Sequence, residues 1–246
     1  MYTIGPLTLV YLAWEMRSFT AAENRKLGAA MLFILFSVVF WSFFEQAGGS
    51  LSLFALNNIS PELFGVSVDP NATNNSSNSL FVILFAPLVG WVWVLLARRK
   101  MEPNSVVKFG LSFLLLAAAF GIFHATVYFA SPDGITSHEL FLAGYFVITF
   151  AELFLSPIGL SLMTKLSPNR IQGLMMGMWF LASAYGQYVA GLLGAGMASV
   201  DPDRSNFERL VGYTDGYAYL AVVAVFGGLL LLVLAPAMRK LMGSVH

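Results

Sequence analysis

The chain has 246 residues, 58% hydrophobic and 15% aromatic, with 13 basic and 13 acidic side chains and a formal net charge of zero. A soluble domain typically carries about a quarter charged residues, so 11% charged residues and a mean hydropathy of +0.75 exclude one. They also exclude a disordered or nucleic-acid-binding chain, because the longest basic run is Arg98, Arg99 and Lys100. Cys is absent, which removes disulfides, thiolate metal sites and thiol nucleophiles.

In chain order, Tyr2 to Trp14 is apolar but only about 20 Å long as a helix, too short to span comfortably. No basic residue precedes it and Glu15 and Arg17 follow it, which does not fit a signal peptide. It reads as the end of a helix that begins outside this chain, with an interfacial anchor as the alternative. Six stretches then reach the roughly 20 apolar residues a bilayer requires: residues 27–56, 79–97, 105–130, 140–164, 171–200 and 217–238. Lipid offers no partner for free backbone groups, so these runs are expected to be helices. Polar turn segments at 71–78, 131–134, 167–169 and 201–206 separate them.

All basic residues except Arg204 and Arg209 fall on one side of this arrangement. Glu62, Asp69, Asp133, Glu139, Asp201, Asp203, Glu208 and Asp215 fall on the other. The positive-inside rule then places both termini in the cytoplasm, which six crossings allow. Asn58, Asn71, Asn74 and Asn75 fit the Asn-X-Ser/Thr pattern on the outer side, a match expected by chance in Asn-rich loops.

The six spans hold three charged residues: Glu45, Lys108 near a helix start, and Glu152. An ionisable group at membrane depth is costly unless paired, hydrated or protonated, so Glu45 and Glu152, each expected in mid-helix, are candidate proton carriers. The alternative is a neutral Glu hydrogen-bonded to a neighbouring helix. With no basic residue at matching depth, the partner is expected outside this chain or on a ligand. Trp41 lies one turn before Glu45, an arrangement that suits an amine or organic cation, or is simple packing. Trp179, Ser183 and Gln187 share one stripe of the fifth helix, as a site or as interhelical hydrogen bonding.

Pro87 and Pro157 are expected to bend their helices, and Gly173, Gly177, Gly186, Gly191, Gly194 and Gly196 are expected to give the fifth helix close-approach surfaces, with Gly173 and Gly177 in GxxxG spacing. His124 reads as a hydrogen-bonded packing residue, while His138 and His246 fall outside the bilayer core and are uninformative. Enzyme chemistry has no support. No metal-ligand cluster or phosphate loop appears, and Gly159-Leu160-Ser161 continues to Met163 where a nucleophile elbow needs glycine.

Several blocks together resemble the proton-dependent oligopeptide transporter (POT or PTR) family of the major facilitator superfamily. They are Phe40-Trp41-Ser42-Phe43-Phe44-Glu45-Gln46, the segment from Asn78 to Pro87, Glu152-Leu153-Phe154-Leu155-Ser156-Pro157-Ile158-Gly159-Leu160-Ser161, Thr164-Lys165-Leu166-Ser167-Pro168, and Gly173-Leu174-Met175-Met176-Gly177-Met178-Trp179-Phe180-Leu181. The resemblance implies an all-α membrane fold: helices seven to twelve of twelve, as two inverted three-helix repeats. Residues 1–26 would be the end of an inter-half helix plus a cytoplasmic linker, and residues 27–246 the C-terminal bundle. The short 131–139 loop resembles bacterial members, which implies an inner-membrane protein.

By the same resemblance Glu45 is the proton-coupling carboxylate, and Glu152, assisted by Asn78, holds the peptide amino terminus. Trp41, Trp179 and Ser183 line the peptide cavity, and Lys165 lies near the inner gate. The implied partners are a di- or tripeptide, a proton as coupling ion, the lipid bilayer and an N-terminal six-helix half absent from this chain. No cofactor, metal or nucleic acid is implied. Two alternatives remain: a truncated, non-transporting half that only binds a partner half, or a family transporter of amino acids, nitrate or peptide-like compounds.

Overall fold

A computed structural model describes residues 3–198, 204–243 and 245. Tyr2, the end of the fifth expected span at Ser199 and Val200, the acids Asp201 and Asp203, and His246 lie outside the described residues. The described chain contains helices α1 (Ile4–Glu15), α2 (Ala21–Phe44), α3 (Ser50–Asn58), α4 (Pro70–Arg98), α5 (Ser105–Ala125), α6 (His138–Leu166), α7 (Gln172–Met197) and α8 (Asn206–Met242). A two-stranded hairpin, β1 (Glu62–Leu63) and β2 (Val66–Ser67), turns through Phe64 and Gly65, both at positive φ.

Helix boundaries follow their caps, and several differ from the expected spans. Thr20 and Glu23 form a capping box, so α2 starts at Ala21 rather than at residue 27. Its end differs more. The expected run to residue 56 stops at Phe44, continues as a 3-10 turn over Glu45–Gly48, and resumes as α3 after Gly49. Gly48 and Gly49 each disfavour α-helix by about 1 kcal/mol relative to Ala. Gln46 then satisfies the broken ladder: its amide donates to the carbonyls of Ser42 (3.2 Å) and Ala190 (3.1 Å), and its oxygen accepts from Ser50 (2.7 Å). Glu45 thus sits at a helix break rather than in mid-helix.

Residues 71–78, expected as a turn, are the first two turns of α4. Asp69 caps them by accepting the Asn71 N–H, and Pro70 occupies the first turn, where its missing N–H costs nothing. Composition misled because Thr73, Asn74 and Ser77 face inward; beyond them Val89 is the only buried residue of α4. The first two turns of α4 therefore bury polar groups, and the rest of the helix exposes apolar ones. α8 begins at Asn206, well before the expected residue 217, behind a second capping box from Ser205 and Glu208. Pro87 and Pro157 lie inside α4 and α6, and Pro236 inside α8.

Five helical stretches among the described residues are long and apolar enough to cross a membrane: Ala21–Asn58, Pro70–Arg98, Ser105–Phe129, His138–Leu166 and Asn206–Met242. The remaining expected span, the fifth in chain order, is α7, whose 26 residues suffice in length. Its Gln, Ser, Tyr and Gly residues dilute its apolarity below that of the other five.

Lipid tails are as apolar as the side chains they replace, so helices here associate by packing rather than by escape from water. Phe123 shows how: its ring meets those of Phe120, Phe141, Tyr145 and Tyr217 at 5.8–5.9 Å. Gly144 makes room, since a Cβ there would lie 2.2 Å from the Phe123 ring. Close approach of α7 to α2 uses Gly186, whose Cβ would lie 2.4 Å from Trp41 Cβ, and its approach to α3 uses Gly194, whose Cβ would lie 3.1 Å from Ser50 N. The expected Gly173 and Gly177 pair meets nothing within 4 Å and faces open space.

One end of the bundle is tied by Asn58, which donates to the carbonyls of Gly134 (2.8 Å) and Asn206 (3.1 Å). Asn58 and Asn74 are both buried, which removes them as modification sites. His138, expected to be uninformative, is fully buried with Nε2 2.8 Å from Thr73 Oγ1, joining α6 to α4. His124 holds the Thr214 carbonyl at 2.9 Å, the packing role expected of it. Lys108 is buried, ion-paired with Glu102 and 4.4 Å from the Trp93 ring centroid.

Candidate substrate and proton site

The polar residues inside the bundle form a continuous track between the α2–α3 break and the middle of α6. Asn74 and Asn78 are one turn apart on α4; Tyr145, Thr149 and Glu152 follow at helical spacing on the facing side of α6. The Asn74 amide donates to the Ala47 carbonyl in the break (3.0 Å), and its oxygen accepts the Tyr145 hydroxyl. The Thr149 hydroxyl reaches Asn78 Oδ1 at 2.8 Å, and the Asn78 amide donates to Glu152 Oε2 at 3.0 Å. Glu45 accepts from the Gln187 amide at 3.2 Å, on the stripe of α7 that also carries half-buried Ser183.

Both carboxylates are therefore held by neutral amides. Among the described residues the ion pairs are Lys108 with Glu102 and Arg170 with Glu15, so neither Glu45 nor Glu152 has a cation in contact. The two are close enough for their charges to interact. Two carboxylates without a counter-ion can take up a proton, an ammonium group, or one of each.

The remaining expected site residues divide. Trp41 is 9% exposed and packs edge-on against Phe40 and Phe44 with its indole nitrogen buried and unpartnered. Trp179 is 4% exposed, edge-on to Phe109 at 6.1 Å, and covers Gly159, where a Cβ would lie 1.9 Å from the ring. Both tryptophans thus stand inside the helix packing. Lys165 is exposed in the last turn of α6, about 20 Å along the helix from Glu152. Asn74, Tyr145 and Thr149 were not singled out by the sequence reading. Tyr145 and Thr149 share a face of α6 with Glu152 at i, i+4 and i, i+7 spacing, and Asn74 lies in a segment expected as a turn.

The sequence profile of the POT family matches residues 9–209. The chain is 32% identical to the peptide transporter YePEPT of Yersinia enterocolitica subsp. palearctica, over 100% of its own length and 47% of that protein. It is 29% identical to the di-/tripeptide transporter of Lactococcus lactis subsp. cremoris, over 99% of this chain and 47% of that one. A crystal structure of the peptide transporter POT in complex with sulfate matches with a TM-score of 0.81 at 28% identity, covering 96% of this chain and 45% of that one. Tetrameric PepTSo2 matches at 0.78 and 29%, covering 98% of this chain and 48% of that one. The chain thus spans about half the length of the relatives it matches, which are transporters and not enzymes. It is a multi-pass membrane protein, and it belongs to the POT family.

Proposed function

We propose that the chain is the C-terminal, six-helix half of a proton-coupled di- and tripeptide symporter of the bacterial inner membrane, with α7 as a sixth crossing and both termini cytoplasmic. One observation carries the reading: Glu45 and Glu152 lie in helical stretches long and apolar enough to cross a membrane, with only amide partners among the described residues. Glu152, backed by Asn78 and Thr149, takes the peptide ammonium. Glu45, at the helix break, takes the coupling proton. Trp41 and Trp179 give the side-chain pockets an aromatic backing, Ser183 lines them, and Lys165 stands at the cytoplasmic gate. The peptide carboxylate needs a cation at the same depth, which the N-terminal half would supply.

Exposed surface on α4 and α7 is available to that half. On α4 it is Leu80, Ile83, Leu84 and Leu88, all more than half exposed; on α7 it is the open pair Gly173 and Gly177. Rocking of one half against the other around a midplane site would then expose the carboxylates to each side in turn. Coupling follows if both carboxylates must be neutralised, one by the proton and one by the ammonium, before the desolvated site can close.

Substrate class is tested by competition for labelled dipeptide uptake in cells carrying both halves. Unlabelled di- and tripeptides are expected to compete, whereas free amino acids and nitrate are not. Displacement by amino acids or nitrate, with tripeptides ineffective, would contradict the assignment.

A further inference from the structure

α1 is not buried in the bundle. Leu7 and Val10 are 66% and 67% exposed, and Tyr11 and Trp14 also face outward. Behind α1, an apolar groove of about 320 Å³ runs between α1, α2 and α7, lined among others by Gly5, Met31, Val38, Met178 and Tyr185. Gly5 sets its depth, because a Cβ there would lie 2.1 Å from the Tyr185 hydroxyl. From Gly5 to Glu15 the helix rises about 15 Å, half of the roughly 30 Å hydrocarbon core and thus the depth of one leaflet.

At the other end of α1 lies a second, polar cavity of about 310 Å³ formed by Trp14, Glu15, Arg17, Ser18 and Arg170. Glu15 is 2% exposed; its Oε1 accepts from Arg170 at 3.1 Å, but its Oε2 is buried with no hydrogen-bond partner. Tyr11, one turn earlier, is near enough for its hydroxyl to interact with this carboxylate as a hydrogen-bonding neighbour, but no hydrogen bond of acceptable geometry reaches Oε2. A buried carboxylate oxygen without a donor costs about 1–3 kcal/mol or more, so the cavity lacks a donor that a ligand can bring. Arg17 and most of Arg170 are exposed and offer donors to an anion.

A phosphate beside the arginines, an N–H donor at Glu15 and an acyl chain one leaflet long in the groove describe one molecule. We propose that α1, α2 and α7 bind an aminophospholipid of the phosphatidylethanolamine type. Its phosphate lies against Arg17 and Arg170, its primary ammonium donates to Glu15 Oε2, and one acyl chain lies in the groove behind Gly5. Trp14 and Tyr11 mark the headgroup level, as interfacial aromatics do. The inference rests on the cytoplasmic placement of Arg17 and Arg170 and is independent of peptide transport.

The test is lipid retention by the delipidated full chain, counted by native mass spectrometry with dioleoyl phosphatidylethanolamine, phosphatidylcholine and phosphatidylglycerol. The ethanolamine lipid is expected to be retained about tenfold over the choline lipid, whose quaternary nitrogen has no N–H to give. Glu15→Gln should erase that preference. Arg17→Ala, at an exposed position that leaves folding intact, should lower retention of all three. Val38→Trp should fill the groove and lower retention while the ethanolamine preference persists. Equal retention of the three lipids, or an undiminished ethanolamine preference in Glu15→Gln, would overturn the site. Displacement by tail-less glycerophosphoethanolamine at equal concentration would overturn the part played by the groove.

Discussion

Glu45→Gln in the complete transporter is expected to abolish proton-driven accumulation of peptide while leaving exchange of peptide across the membrane intact. Gln has nearly the same shape and keeps an oxygen for the Gln187 amide that now holds Glu45 at 3.2 Å, so the helix break should survive. What it loses is the ability to change charge. One proton moved through ~100 mV is worth ~2.3 kcal/mol, a concentration ratio of about fiftyfold, and the variant should instead reach a ratio of about one. The check is a time course of labelled dipeptide in energised vesicles, followed by counterflow without a gradient. Accumulation at the unmodified level would remove Glu45 from the coupling step, and loss of counterflow as well would assign it to folding or peptide binding.

The second large effect is expected at Glu152. Removing its carboxylate with Glu152→Ala deletes a charge-assisted contact with the peptide ammonium worth ~1.5–3 kcal/mol, so binding should weaken about 10- to 100-fold. The change also frees the Asn78 amide, now bound to Oε2 at 3.0 Å. The direct and indirect effects separate with an N-acetylated dipeptide, which has no ammonium. Wild type should bind it poorly, and Glu152→Ala should bind acetylated and free peptides with nearly equal affinity, as in a double-mutant cycle that removes one interaction from both sides. An unchanged Kd for the free dipeptide would contradict the assignment, as would an equal loss for both peptides.

How far the fold was readable from the residues depended on what each segment does with its polar groups. The apolar runs announced themselves because a bilayer tolerates few charges, and five of the six expected spans are helices apolar enough to cross. α7 showed as a helix but is less apolar, since Gln, Ser, Tyr and Gly residues are interspersed along it. The first two turns of α4 were the clearest miss. Six of the eight residues at 71–78 are Asn or Ser, which propensity assigns to turns. Here Asn74 and Asn78 point at partners on α6 and at the broken α2 helix, so tertiary hydrogen bonds override local preference.

The site itself was half legible. Glu45 and Glu152 stood out because charge in an apolar run is rare, and the structure brings them within electrostatic reach. The break that positions Glu45 was hidden, because Ala47-Gly48-Gly49 interrupts neither the length nor the apolarity of the run. Trp41 and Trp179, for which site spacing left packing open as the alternative, are each seated against a glycine of a facing helix. Tyr145 and Thr149 passed unnoticed since one hydroxyl in an aromatic helix carries no signal until its acceptor on another helix is known.

The most direct test of the central claim is uptake of a labelled dipeptide into proteoliposomes under an inward proton gradient, with this chain alone and with an N-terminal six-helix half supplied. No uptake by the chain alone, and protonophore-sensitive uptake once the other half is present, is the result expected. Protonophore-sensitive uptake by the chain alone would contradict the reading of it as one half of a transporter, and silence with both halves would contradict peptide symport.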